Sequence, residues 1–200
     1  MLYLPQIVAC ARNDSTFMSR KYKPGDNQLP HFITFSTVDW IDVFTRDIYR
    51  QILIDSLQYC QKNKGLCLNA WVIMTNHLHL IMSGRKQTLI SDILRDFKKF
   101  TSKQILQAIQ NNPKESRKNW LLYMFGRAGK RNSNNENFQF WQQEYHPIEL
   151  NNPEILRQKL DYLHENPVRA GFVYEPQQYI YSSAVDYYTD RKGLIKIEYL

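Results

Sequence analysis

Two apolar runs, Leu66 to Met74 and His77 to Met82, are separated only by Thr75-Asn76. Runs of this length around a two-residue polar break read as a β-hairpin, which commits this part of the chain to an antiparallel sheet. The second run opens with His77-Leu78-His79. Alternate strand residues share a face and lie about 6 to 7 Å apart, so both imidazoles can converge on one metal ion. Neutral imidazole suits several divalent metals, and oxygen ligands completing the shell would admit a hard cation. For H-x-H alone, two partly exposed histidines on a sheet face is the plainer account.

The flanking patterns define the elements around this hairpin. Phe32 to Thr37 alternates as a strand. In Asp47 to Lys64, Tyr49, Ile52, Leu53, Ser56, Leu57 and Cys60 recur at helical spacing, and Gly65 supplies a stop. Ser91 to Ile109 is amphipathic, with Ile93, Leu94, Phe97, Phe100 and Ile105 turned inward, and Asn111-Asn112-Pro113 ends it. A last helix is expected from Asn152 as N-cap, with Pro153 at N1, to about Glu165, because Pro167 disfavours helical geometry at Asn166. Residues 1–30 read as an irregular arm containing Arg20, Lys21 and Lys23, and residues 126–137 as a polar, Asn-rich loop. The expected architecture is one α+β domain over residues 1–200, a small antiparallel sheet with helices packed on one face.

At 200 residues the chain can build a core without disulfides or structural metal. Cys10, Cys60 and Cys67 form no C-x-x-C pair, which fits a reducing cytoplasm. Met1 to Ala11 lacks a preceding basic residue and is followed by Arg12, Asn13 and Asp14, so neither a signal peptide nor a membrane span is expected. The net charge of +7 is concentrated between Arg85 and Arg131, where twelve Lys or Arg face three acids. Clustered basic charge is the footprint of a polyanion partner, although a solvated basic helix shows the same pattern. Arg95, Lys99 and Lys103 form a stripe at i, i+4 and i+8; with Lys114, Arg117 and Lys118 they are the candidate phosphate-tracking surface. Thirteen tyrosines suit base stacking and core filling equally.

On the last helix Tyr162 and Asn166 are four apart and share a face. Near a metal, the amide oxygen could be a third ligand while the phenol oxygen attacks. Alone, the pair reads as a packed tyrosine and a helix-ending asparagine. Taken together, Asn69-Ala70-Trp71-Val72-Ile73-Met74-Thr75-Asn76-His77-Leu78-His79-Leu80 and the segment Tyr162 to Gly171 resemble the two signature segments of the single-tyrosine transposases of bacterial insertion sequences, and within them the REP-associated tyrosine transposases. Ser91 to Thr101 and Phe140-Trp141-Gln142 are similar to further family segments. The resemblance covers roughly residues 30 to 185. Thr75 stands where the family usually has proline, and the Asn-rich insertion before Phe138 has no counterpart.

The resemblance implies the ferredoxin-like sheet of HUH transposases and a metal-dependent enzyme that cuts and rejoins single-stranded hairpin DNA. His77 and His79 would be metal ligands, Asn166 the third, and Tyr162 the nucleophile that stores a 5′ phosphate. Magnesium, with manganese as surrogate, is the implied ion. Monomer and homodimer are both compatible with this. The rival reading is a hairpin-DNA-binding protein derived from such an enzyme that no longer cuts. An H-x-H-x-H hydrolase is disfavoured by Ile81 at the third same-face position, and a zinc hydrolase would need His31, His146 or His164 brought close. His164 should point away from Tyr162's face, and Tyr187-Tyr188 reads as a packing or solvated pair.

Overall fold

The hairpin forms where the polar break places it, between β2 (Leu66–Ile73) and β3 (His77–Gly84). The computed structural model describes residues 27–131, 137–143 and 146–200. The other elements are β1 (His31–Ser36), α1 (Asp47–Asn63), α2 (Ile90–Asn111), α3 (Lys118–Lys130), β4 (Ile148–Glu149), α4 (Pro153–Arg169) and α5 (Ala184–Tyr188). The sheet is antiparallel, in the order β2-β3-β1-β4, and the protein is α+β. The expected N-terminal arm lies, up to residue 26, outside the described residues.

Strand alternation sorts the core into two. Ile33 and Phe35 of β1, Leu78, Leu80 and Met82 of β3, and Leu68, Trp71 and Ile73 of β2 pack under α1, α2 and α3. Phe32, Ala70, Val72 and Ile81 point the other way, onto Leu150 and onto Leu156, Leu160 and Leu163. The parity of β2 changes partway because Leu68 pairs with Met82 but Ala70 with Ile81, leaving Asn69 as a bulge. Without that extra residue either Leu66 and Leu68 or Trp71 and Ile73 would face the wrong layer.

Four expectations need correction. Phe100, expected to face inward from α2, is 55% exposed. Helices cover both faces of the sheet, not one: α4 lies across β2 and β3 opposite α1 and α2. Leu78 to Met82 is buried at every position, His79 included, which is the mark of a strand with two covered faces. The loop expected over residues 126–137 starts later, because α3 continues to Lys130 with Leu121, Phe125 and Gly129 buried at helical spacing. Gly129 is a contact, not a breaker: a Cβ there would come 2.7 Å from the Asn137 backbone. Residues 132–136 of that loop lie outside the described residues. Finally, α4 continues through Pro167 to Arg169. Proline removes one helical donor and strains the preceding turn, but its ring is buried, and Ala170 and Phe172 donate to the carbonyls of Asn166 and Pro167 at 3.0 and 2.9 Å. The N-cap is as expected, with Asn152 Oδ1 accepting from Glu154 N at 2.7 Å.

Candidate active site

Register places the histidines on the face that α4 covers. In β3, His79 stands opposite Thr34 of β1 and Val72 of β2, and His77 opposite Ser36. Their rings meet edge to face with centroids 4.8 Å apart. Each ring is oriented through Nδ1: that of His79 lies 2.7 Å from Thr34 Oγ1, and that of His77 2.7 Å from Asn76 Oδ1. Phe32 stacks beneath His79 at 5.2 Å. His79 is only 4% exposed, and its Nε2 is buried without a hydrogen-bond partner among the described residues. A buried nitrogen lone pair with nothing to meet it is costly unless a ligand takes it.

Helix α4 brings the tyrosine. The Tyr162 ring sits edge-on to His79 at 5.4 Å and to Phe32 at 6.0 Å, and the residue is 37% exposed. One turn on, Asn166 donates from Nδ2 to the Tyr162 carbonyl at 2.7 Å. From there the Asn166 side chain favours the protonated form of His77. The continuation of α4 past Glu165 is what keeps Asn166 in this position.

Electrostatics keep both imidazoles neutral. Burial pushes the pKa of His79 down to about 3, aided by the neighbouring His77 and Lys159. Burial also lowers His77, partly offset by Asn166 and Asp42. Neutral imidazoles are what a metal requires. Lys159 stands 5.8 Å from the Tyr162 ring centre and Arg169 5.5 Å, bringing positive charge to where a phosphate would meet the phenol.

The four residues His77, His79, Tyr162 and Asn166 are therefore gathered at one place. Thr34, Asn76, Phe32, Lys159 and Arg169 were not singled out from sequence. Lys159 and Arg169, three before and seven after Tyr162, carried a readable helical-face signal; Thr34 reaches the site only through cross-strand pairing. Among the described residues no group of three or more His, Cys, Asp or Glu side chains gathers, so a zinc hydrolase finds no third such ligand. His31 alternates onto the other sheet face, with Nδ1 against the Leu29 carbonyl, and His146 is exposed. His164 is fully buried, its Nε2 on Ser183 Oγ at 2.9 Å. Tyr187 packs on His164 and donates to the Asn69 carbonyl at 3.0 Å, so it is a packing residue.

The basic stripe lies elsewhere. Helix α2 packs against α1, across the sheet from the histidines. Arg95 is held by Asp92 at 2.6 Å and Asp96 at 3.1 Å, whereas Lys99, Lys103 and Lys114 are exposed. Arg117 bonds the Asp42 carbonyl at 2.8 Å and also contacts Glu115; Lys118 is half-buried at the start of α3.

A family model described as IS200-like transposase matches residues 28–133, which include both histidines and end before α4. Among solved structures, a REP-associated tyrosine transposase bound to a REP hairpin is similar with TM-score 0.59 and 18% identity, over 86% of this chain and 84% of that one. A putative transposase from Deinococcus radiodurans is similar with TM-score 0.43 and 16% identity, over 76% and 97% of the two chains. No curated protein matches. At its identity the first of these structures speaks for the fold alone; the family model spans more than half of the chain, and by that match the chain belongs to the IS200-like transposases.

Proposed function

We propose that this transposase cuts and rejoins single-stranded DNA beside hairpins through a covalent link to Tyr162. The observation that carries the reading is the convergence of the Tyr162 ring on His79, whose Nε2 is buried and unpartnered. The donor set fits a divalent cation: both Nδ1 atoms are engaged by Thr34 and Asn76, which leaves the Nε2 atoms free to bind it, and the Asn166 oxygen would be the third donor. Magnesium or manganese held there would neutralise charge on the scissile phosphate and on the departing 3′ oxygen.

The protein's own groups supply the rest. The Tyr162 phenol oxygen attacks phosphorus and loses its proton; the bond to the 3′ oxygen breaks, and that oxygen leaves as a hydroxyl after taking up a proton. Lys159 and Arg169 flank the ring and steady the phosphate's charge. The phosphotyrosine ester retains the energy of the broken bond, so a 3′-hydroxyl can attack it and rejoin strands without ATP. The exposed basic side chains of α2 and of the turn after it, led by Lys99, Lys103 and Lys114, are assigned to phosphates away from the cut.

The test is incubation of labelled single-stranded hairpin DNA with wild type and Tyr162→Phe. The wild type should form a covalent adduct with magnesium or manganese and none with EDTA, and the variant should bind equally well without forming one. Hairpin binding with no adduct under any metal would make this a silent DNA-binding descendant, and an adduct in the variant would overturn the nucleophile.

A further inference from the structure

Helix α3 contains no acidic residue, and its outward face carries aromatic rings in its first half and cations toward its end. Leu121, Phe125 and Gly129 are buried. At 100° per residue, Trp120, Tyr123, Arg127, Lys130 and Arg131 fall on the opposite side. Trp120 is 48% exposed and Tyr123 65%, and at i and i+3 the two rings lie side by side on the helix. Tyr123, Arg127, Lys130 and Phe138 line a shallow recess of about 500 Å³.

This face connects to the active site. Arg127 Nη2 lies 3.6 Å from Asp39 Oδ2, a loose pair, and its Nε is buried without a partner among the described residues. Asp39 and Trp40 both adopt left-handed backbone, with φ of +52° and +54°. That conformation costs about 1–2 kcal/mol for each such residue and persists where surroundings hold it. Asn76 holds it here, donating from Nδ2 to the Trp40 carbonyl at 3.1 Å while its Oδ1 orients His77. The outcome is a Trp40 ring that is 55% exposed yet stands edge-on to His77 at 5.8 Å.

We propose that Trp40 and the outward face of α3 form the track for the unpaired strand that enters or leaves the active site. Bases stack on Trp40, Tyr123 and Trp120, and phosphates pair with Arg127, Lys130 and Arg131. This rests on the DNA-cleaving reading above and adds the strand's path to it. The occupant is unpaired because exposed ring faces receive bases only when these are free of a duplex stack, whereas duplex DNA would engage the cations alone. The α2 stripe carries a single exposed ring, Phe100, where α3 carries two, and one of its cations is already neutralised by Asp92 and Asp96.

The test is fluorescence anisotropy with two labelled oligonucleotides, a bare stem-loop and the same stem-loop with about six unpaired flanking nucleotides. Wild type should bind the flanked form more tightly. Trp120→Ala/Tyr123→Ala should bind the flanked form tenfold or more weakly, the scale of one to two lost stacks, with little change for the bare form. Trp120→Phe/Tyr123→Phe should keep the preference. Independently, the charge variant Arg127→Gln/Lys130→Gln/Arg131→Gln should flatten the slope of log affinity against log salt by about 2 for the flanked form. Unchanged flanked binding by the alanine variant, equal losses on both oligonucleotides, or an unchanged salt slope would overturn the track. Failure of wild type to bind either oligonucleotide would refute the DNA reading itself.

Discussion

At the residue scale, one hydroxyl decides how His79 is presented. Thr34 Oγ1 takes Nδ1 at 2.7 Å, which fixes the ring's rotation and leaves Nε2 aimed at the space shared with His77 and Tyr162. Removing such an orienting partner typically costs 10- to 100-fold in metal affinity. Thr34→Val, which keeps shape, should therefore raise the manganese concentration needed for adduct formation by about that factor, with the maximal rate recovered at high manganese. A manganese titration of adduct rate checks this; an unchanged midpoint would reduce Thr34 to a packing residue. The histidines and Tyr162 were legible because their signals are local, a two-residue and a four-residue spacing. Thr34 was not, since 45 positions separate it from its partner and only the β1–β3 register joins them.

At the element scale, charge and position separate the two basic helices. On α2, Lys99 and Lys103 have no acidic partner among the described residues, while Arg95 faces two carboxylates. If these lysines meet phosphates, Lys99→Gln/Lys103→Gln should flatten the salt slope by up to about 1.4 for single-stranded DNA. Salt titration of binding reads this directly, and no change would leave α2 as a solvated face and give the phosphates to α3. Helix α2 was readable because seven residues from Ile90 to Ile109 are buried in an amphipathic pattern. Helix α3 was missed because residues 126–137 read as one polar loop, although Gly129 belongs to the helix and lets the Asn137 backbone approach. The end of α4 was misplaced because burial of Pro167 offsets a local rule, and β4, two residues long, exists only by pairing with β1.

At the scale of the molecule, a sheet covered on both faces makes the site depend on how α4 is docked. His164 anchors that docking from inside: fully buried, it bonds Ser183 Oγ at 2.9 Å, and Ser183 in turn receives the Trp71 amide at 2.9 Å. Tyr187 and Tyr188 enclose the ring. Burial pushes its pKa down to about 4 from an ordinary 6.5. Because the folded value is depressed, the unfolded chain takes the proton first as pH falls. The stabilisation is complete above about pH 6.5 and is lost progressively as pH drops through 4. A shift of this size corresponds to about 3 kcal/mol. Urea unfolding of wild type and His164→Gln at intervals between pH 7.5 and 4 measures it. The variant retains a hydrogen-bonding side chain but cannot titrate, so its stability should fall less steeply over that window. Parallel curves would show that His164 is protonated in the folded protein as readily as in the unfolded chain, and that α4 is held against acid by other contacts.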